Sequence, residues 1–174
     1  DMAITIEDNV IIPGDARGDA QGIFMDDMES GGVDSGHFFV ATVRNNLVQV
    51  IGSGHGISCG QPKNARFENN TAVSINDASN STIVFISMGR GAQSTDGGNN
   101  EMNDNIVEVI YDEDNGDGTG TSSGNTLLGL NGASTSYASV FVGPGAGAWK
   151  QTGTAAEAKA VFTALSGSAG ASFT

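Results

Sequence analysis

FFVATVRNNLVQVI, residues 38–51, is the stretch on which the reading of the fold turns. Two runs of strand length, 38–43 and 47–51, flank Arg44-Asn45-Asn46. Asn tolerates the positive φ of tight turns, so the pair of runs predicts a β-hairpin. In the first arm Phe39, Ala41 and Val43 share one face, and Phe38, Val40 and Thr42 share the other. Both faces are mostly apolar, which predicts a strand covered on both sides, in the middle of a sandwich or barrel. The β-branched residues and the Asn-Asn break argue against a helix.

Working outward, short strands are expected at 2–6, 10–12 and 23–25, separated by the turn signals Asp8-Asn9 and Pro13-Gly14. Downstream, Gly-rich 52–60 reads as a bend, 66–75 as a strand interrupted by Asn69-Asn70, and 82–88, 106–111, 126–130 and 137–142 as strands. Two polar, Gly-rich stretches, 89–104 and 112–125, read as long loops. A helix is expected over 154–165. Thr154 caps it, Glu157 completes a capping box, and Ala158, Val161, Phe162 and Leu165 form one apolar stripe. No fixed repeat of 20–50 residues stands out, which speaks against a solenoid. The expected fold is therefore an antiparallel β-sandwich or jelly roll of about eight to ten strands with one C-terminal amphipathic helix. Residues 1–36 read as N-terminal strands or an extended arm, and 37–174 as the sandwich.

The chain has 174 residues, 26 of them Gly, and a net charge of -13 with 7 Lys and Arg against 20 Asp and Glu. Unclustered cations exclude a free-standing nucleic-acid binder, and the acidity disfavours an anionic membrane surface. The same charge suits cationic partners, metal ions or high-salt water. Cys59 is the single cysteine, so no intrachain disulfide exists.

The acidic run Asp112-Glu113-Asp114-Asn115-Gly116-Asp117-Gly118 spaces oxygen ligands around a Gly turn, as Ca²⁺ requires. Counted from Glu113, position twelve is Gly124 rather than Glu, so this is no EF-hand. Two readings stand: a partly hydrated calcium site with Asp112, Asp114, Asn115 and Asp117 as ligands, or an acidic loop with Asn-Gly and Asp-Gly turns. His37, His55 and Cys59 lack zinc-ligand spacing and read as a turn histidine, a second histidine and a small buried thiol. No nucleophile elbow, Walker or dinucleotide motif is present.

These features predict a non-enzymatic structural subunit that self-assembles, in a virion (capsid, decoration or tail) or an extracellular fibre. Its partners are expected to be copies of itself or other structural subunits. Ile23 and Phe24 in the N-terminal segment, and Trp149 after the Gly-rich 143–147 stretch, are the expected contacts. The alternative is a calcium-dependent carbohydrate-binding or adhesive module using the loops at 89–104 and 112–125. A third class, a hydrolase whose acids converge only in space, has no sequence signature.

Overall fold

A computed structural model shows a mainly β chain in which every strand pairing among the described residues is parallel. The structure describes residues 2–12, 22–25, 39–50, 54–59, 64–74, 84–88, 100–112, 121–128, 134–143, 152–165 and 169–173. The expected antiparallel sandwich or jelly roll is overturned. Three parallel sheets run side by side, and the chain visits them in rotation, coil after coil.

The first coil is β1 (Met2–Glu7), β2 (Val10–Ile11) and β3 (Ile23–Met25). The second is β4 (Phe39–Arg44), β5 (Leu47–Val50) and β6 (Gly54–Cys59). β7 (Arg66–Glu68), β8 (Thr71–Ser74) and β9 (Val84–Met88) make the third. β10 (Glu101–Asn103), β11 (Ile106–Val107) and β12 (Val109–Asp112) make the fourth. β13 (Thr121–Ser123) and β14 (Thr126–Leu127) begin a fifth. Sheet A is β1-β4-β7-β10-β13, sheet B is β2-β5-β8-β11-β14, and sheet C is β3-β6-β9-β12. This is a parallel β-solenoid. Residues 2–25 are one of its coils, with β1, β2 and β3 each paired to its counterpart in the second coil.

The expected hairpin is a corner. β4 and β5 lie in different sheets and do not pair with each other. Asn45 does take a positive φ of 54°, but the turn sends the chain from sheet A to sheet B. The same corner recurs at Asp8 (φ 60°), Asn69 (φ 53°), Asp104 (φ 55°) and Gly124 (φ 66°), each followed by an Asn. Asn and Asp enter the left-handed region more readily than other residues with a side chain, because their short polar groups bond locally.

The lumen accounts for one apolar face of the central strands; the second face of β4, expected to be covered, instead lies half-buried on the outside of sheet A at Val40 and Thr42. Ala41, Val43, Val48, Val50, Ile57, Cys59, Phe67, Ala72, Met102 and Val107 pack inside the coils and are buried. The outer face of sheet B is covered as well. Leu47, Val73 and Ile106 point outward against α1 (Ser134–Val140), α2 (Ala155–Phe162) and the C-terminal tail, through Tyr137, Phe141, Phe162, Ala169 and Ala171. A parallel sheet is stable where both faces are covered, and the helices cover this one.

Local expectations met mixed outcomes. The helix at 155–162 forms, with Glu157 N–H donating to Thr154 Oγ1 at 3.2 Å. Glu157 Oε2 accepts from Gly153 N–H rather than from Thr154. The strand expected at 137–142 is instead α1 and its end, because a helix places Tyr137 and Phe141 on one face, edge to face at 5.8 Å, against sheet B. The bend expected at 52–60 contains β6, and the strand expected at 106–111 breaks at Glu108 into β11 and β12.

Gly170 ties the tail to the coils. Its φ is 80°, and its N–H donates to Asp104 O at 2.6 Å. A Cβ there would lie 2.5 Å from Ile106 Cδ1 and 2.6 Å from Thr71 Oγ1. Gly170→Ala is expected to lower stability by about 2 kcal/mol, from left-handed strain and overpacking, read as a reduced urea midpoint.

Candidate functional site

Five asparagines stack along the corner between sheets A and B: Asn9, Asn46, Asn70, Asn105 and Asn125. From Asn46 onward, each side-chain Oδ1 receives both the backbone N–H and the Nδ2 of the Asn one coil earlier. Asn9 N and Nδ2 donate to Asn46 Oδ1 at 3.1 and 3.0 Å, and Asn46 N and Nδ2 to Asn70 Oδ1 at 3.1 and 3.0 Å. Asn70 N and Nδ2 donate to Asn105 Oδ1 at 3.0 Å each. Asn105 N and Nδ2 donate to Asn125 Oδ1 at 2.8 and 3.0 Å. The second Nδ2 hydrogen bonds a carbonyl of the preceding coil: Ile6 for Asn46, Val43 for Asn70, Phe67 for Asn105 and Met102 for Asn125. Asn46, Asn70 and Asn105 are fully buried, and this network satisfies their side chains.

The ladder therefore has a direction. At its last rung Ser122 Oγ accepts, at 2.9 Å, the Asn125 Nδ2 hydrogen that at earlier rungs goes to the next Asn Oδ1. Around each rung the chain repeats a six-residue unit: Ile6–Ile11, 43–48, 67–72, 102–107 and 122–127. The unit has inward residues at both ends and a left-handed residue followed by Asn at its centre. This is the signal that could have revealed the solenoid. The rungs are 37, 24, 35 and 20 residues apart, so no single period exposes it.

Sheet A presents a flat polar outer face. In one row Thr5, Thr42, Arg66, Glu101 and Thr121 are register partners; in the next, Glu7, Arg44, Glu68, Asn103 and Ser123. Arg44 binds Glu7 at 2.6 Å, Arg66 lies 3.6 Å from Glu101, and Ser123 Oγ donates to Asn103 Oδ1 at 2.8 Å. Exposed pairs of this kind add about 0–1 kcal/mol each, so they organise the surface more than they stabilise it. Where this face meets the tail there is an open cavity of about 370 Å³, lined by Arg44, Asn45, Asn69, Thr163, Gly170 and Ser172 among others. Glu7 neutralises the cation at its edge.

Under α1 sits a buried polar cluster. Tyr137 Oη accepts from Ser74 N–H at 3.1 Å, lies 3.0 Å from Ser74 O, and is 3.3 Å from Oε1 of the buried Glu108. Burial first, and the neighbouring Glu108 carboxylate second, push the Tyr137 phenol far above its ordinary 10.0. The raised native value means the neutral phenol stabilises the fold fully below pH 10, and this is lost as pH rises above the unfolded value. In a Tyr111→Phe background, absorbance at 295 nm should show no Tyr137 ionisation until the alkaline unfolding transition. Tyr137→Phe should cost about 1–3 kcal/mol by removing the phenol that bonds Ser74 N–H and O.

Most of the ligand and contact residues expected from sequence lie outside the described residues. Asp112 ends β12. Asp114, Asn115, Asp117, Trp149 and His37 lie outside the described residues. Ile23 is buried in the lumen, whereas Phe24 faces outward, 43% exposed, with its ring edge to face against His55 at 5.1 Å. Cys59 is buried in the lumen on the same strand as His55. Among the described residues no three His, Cys, Asp or Glu side chains group as a metal site, and no helix is long and apolar enough to cross a membrane. No protein-family model, curated protein or solved structure matches the chain.

Proposed function

We propose that this chain is a non-enzymatic structural subunit that assembles with copies of itself, in an extracellular fibre or a virion. One observation carries the reading. At each end of the solenoid the terminal strands, β1, β2 and β3 on one side and β13, β14 and β12 on the other, have an outer edge with no described partner. Open edges template further pairing, and a stack of near-equivalent coils extends by nearest-neighbour contacts without refolding.

The charge of -13 opposes association at low ionic strength. Light scattering across protein concentration should therefore report a mass that grows with concentration, and more steeply as salt screens the repulsion. A single-chain mass at high concentration and high salt overturns the proposal.

A second reading, a carbohydrate-binding or adhesive module, is favoured by the registered Thr, Ser, Asn, Glu and Arg rows on sheet A. Its calcium-dependent form requires the melting temperature to rise with calcium and fall with chelator, since a ligand bound only by the native state stabilises it. Unchanged melting in both buffers removes calcium from that reading.

A further inference from the structure

We infer that copies of this chain stack head to tail, with the β13–β14 end of one on the β1–β2 end of the next, in the register the coils already use. The inference rests on the self-assembly proposed above and names the surfaces.

The two ends of the asparagine ladder are complementary. At the start, Asn9 uses its Nδ2 on Glu7 O and Asn46 Oδ1, and its Oδ1 has no described donor. At the finish, Asn125 accepts from Asn105 and uses its Nδ2 on Met102 O and Ser122 Oγ, and its N–H has no described acceptor. One end lacks a donor and the other lacks an acceptor. Placing Asn125 of one copy over Asn9 of the next supplies both, with the N–H to Oδ1 bond made at every internal rung. The register then sets Thr121 beside Thr5, Ser123 beside Glu7 and Leu127 beside Ile11.

The lumen points to the same contact. Ile11, Val48 and Ala72 are register partners along the inside of sheet B, and Val107 pairs with Leu127 at its end. Val48, Ala72 and Val107 are fully buried, but Leu127, at the equivalent inward position, is 62% exposed. The next copy's Ile11 would cover it. The 121–127 edge carries no charged residue, so it does not oppose the exposed Glu7 and Asp8 of the facing edge. A two-fold contact fails on the same grounds. It would set Asn9 Oδ1 against Asn9 Oδ1 and Glu7 and Asp8 against their own copies, or Asn125 N–H against N–H. A head-to-tail contact that does not close produces an open filament.

The test uses two single-cysteine additions, Thr5→Cys and Thr121→Cys, at exposed outward positions of sheet A. Neighbouring parallel strands are about 4.8 Å apart, within the Cα range of a disulfide. Cys59 is fully buried and does not compete. On mild oxidation, an equimolar mixture should give a mixed disulfide between the two variants, and the double variant a covalent ladder. Leu127→Asp, a change at an exposed residue, should leave the melting temperature unaltered. It should raise the concentration for half-assembly more than about tenfold, equivalent to 1.4 kcal/mol.

Homodimers of Thr5→Cys alone, or growth by light scattering without any cross-link, would overturn the head-to-tail contact while leaving self-assembly standing. Growth unaffected by Leu127→Asp would do the same. A single-chain mass for the unaltered protein at all concentrations and salts would overturn both.

Discussion

Asn70→Ala is expected to lower the unfolding free energy by about 4 kcal/mol, the largest effect of any single polar substitution here. Asn70 is fully buried and sits in the middle of the ladder. Its loss strands Asn46 N–H and Nδ2, which donate to Asn70 Oδ1, and Val43 O, which accepts from Asn70 Nδ2. Each buried group left without a partner costs about 1–3 kcal/mol. The cost falls on coils two, three and four together, so urea unfolding should stay a single transition with a lowered midpoint. A loss under about 1 kcal/mol would mean that water replaces the missing amide.

Asn70→Asp separates shape from hydrogen-bond polarity. One oxygen still accepts from Asn46, but the other faces Val43 O and Asn105 Oδ1, both acceptors. Burial and that repulsion favour the protonated acid, so its native pKa lies above the unfolded value of about 3.9. The sign follows: the variant is most stable below the unfolded value and loses stability as pH rises through the native one. Its melting temperature should rise on acidification, relative to the unaltered protein.

Phe162→Ala is the second large effect, with an expected loss of about 3–4 kcal/mol. Phe162 is buried on α2, edge to face with Phe141 at 5.4 Å, in the cluster that includes Leu47, Val73 and Ile106 on the outer face of sheet B. Truncation opens a cavity between helix and sheet that rigid coils do not close. Because sheet B needs its outer face covered, helix and strand signals should be lost together in circular dichroism. Loss of the helix signal first, with the strands intact, would show instead that the coils stand without their cover. Val161→Ala, at a half-buried neighbour, should cost much less.

Much of the local structure was legible in the residues. β1, β2 and β3, the two arms around Asn45-Asn46, and the capped helix at 155–162 all lie where runs of β-branched residues, Asn turns and the Thr154–Glu157 pair place them. The positive φ at Asn45 was legible too. The alternation into a lumen was only half legible. Two apolar faces on the first arm read as the middle of a sandwich, but in β4 only the Ala41 and Val43 face is covered, by the lumen; Val40 and Thr42 lie half-buried on the outer face of sheet A, and the helices cover sheet B instead. The assembly surface was less legible still. Phe24 is exposed on sheet C, and Leu127 stands out only once its inward equivalents are seen to be buried.

By itself the sequence determined the acidity, the strand-forming runs, the left-handed corners and the start of α2, because each depends on residues within a few positions of one another. Tertiary structure alone decided whether Asn45-Asn46 closes a hairpin or turns a corner. The backbone angle is compatible with both, and the deciding partners of Asn46 are Asn9 and Asn70, 37 and 24 residues away. It likewise decided that Tyr137 starts no strand. The phenol finds Ser74, 63 residues away, and its ring finds Phe141 one helical turn on. Contacts at such separations have no period in the sequence, because the corner unit repeats while the lengths between the units do not.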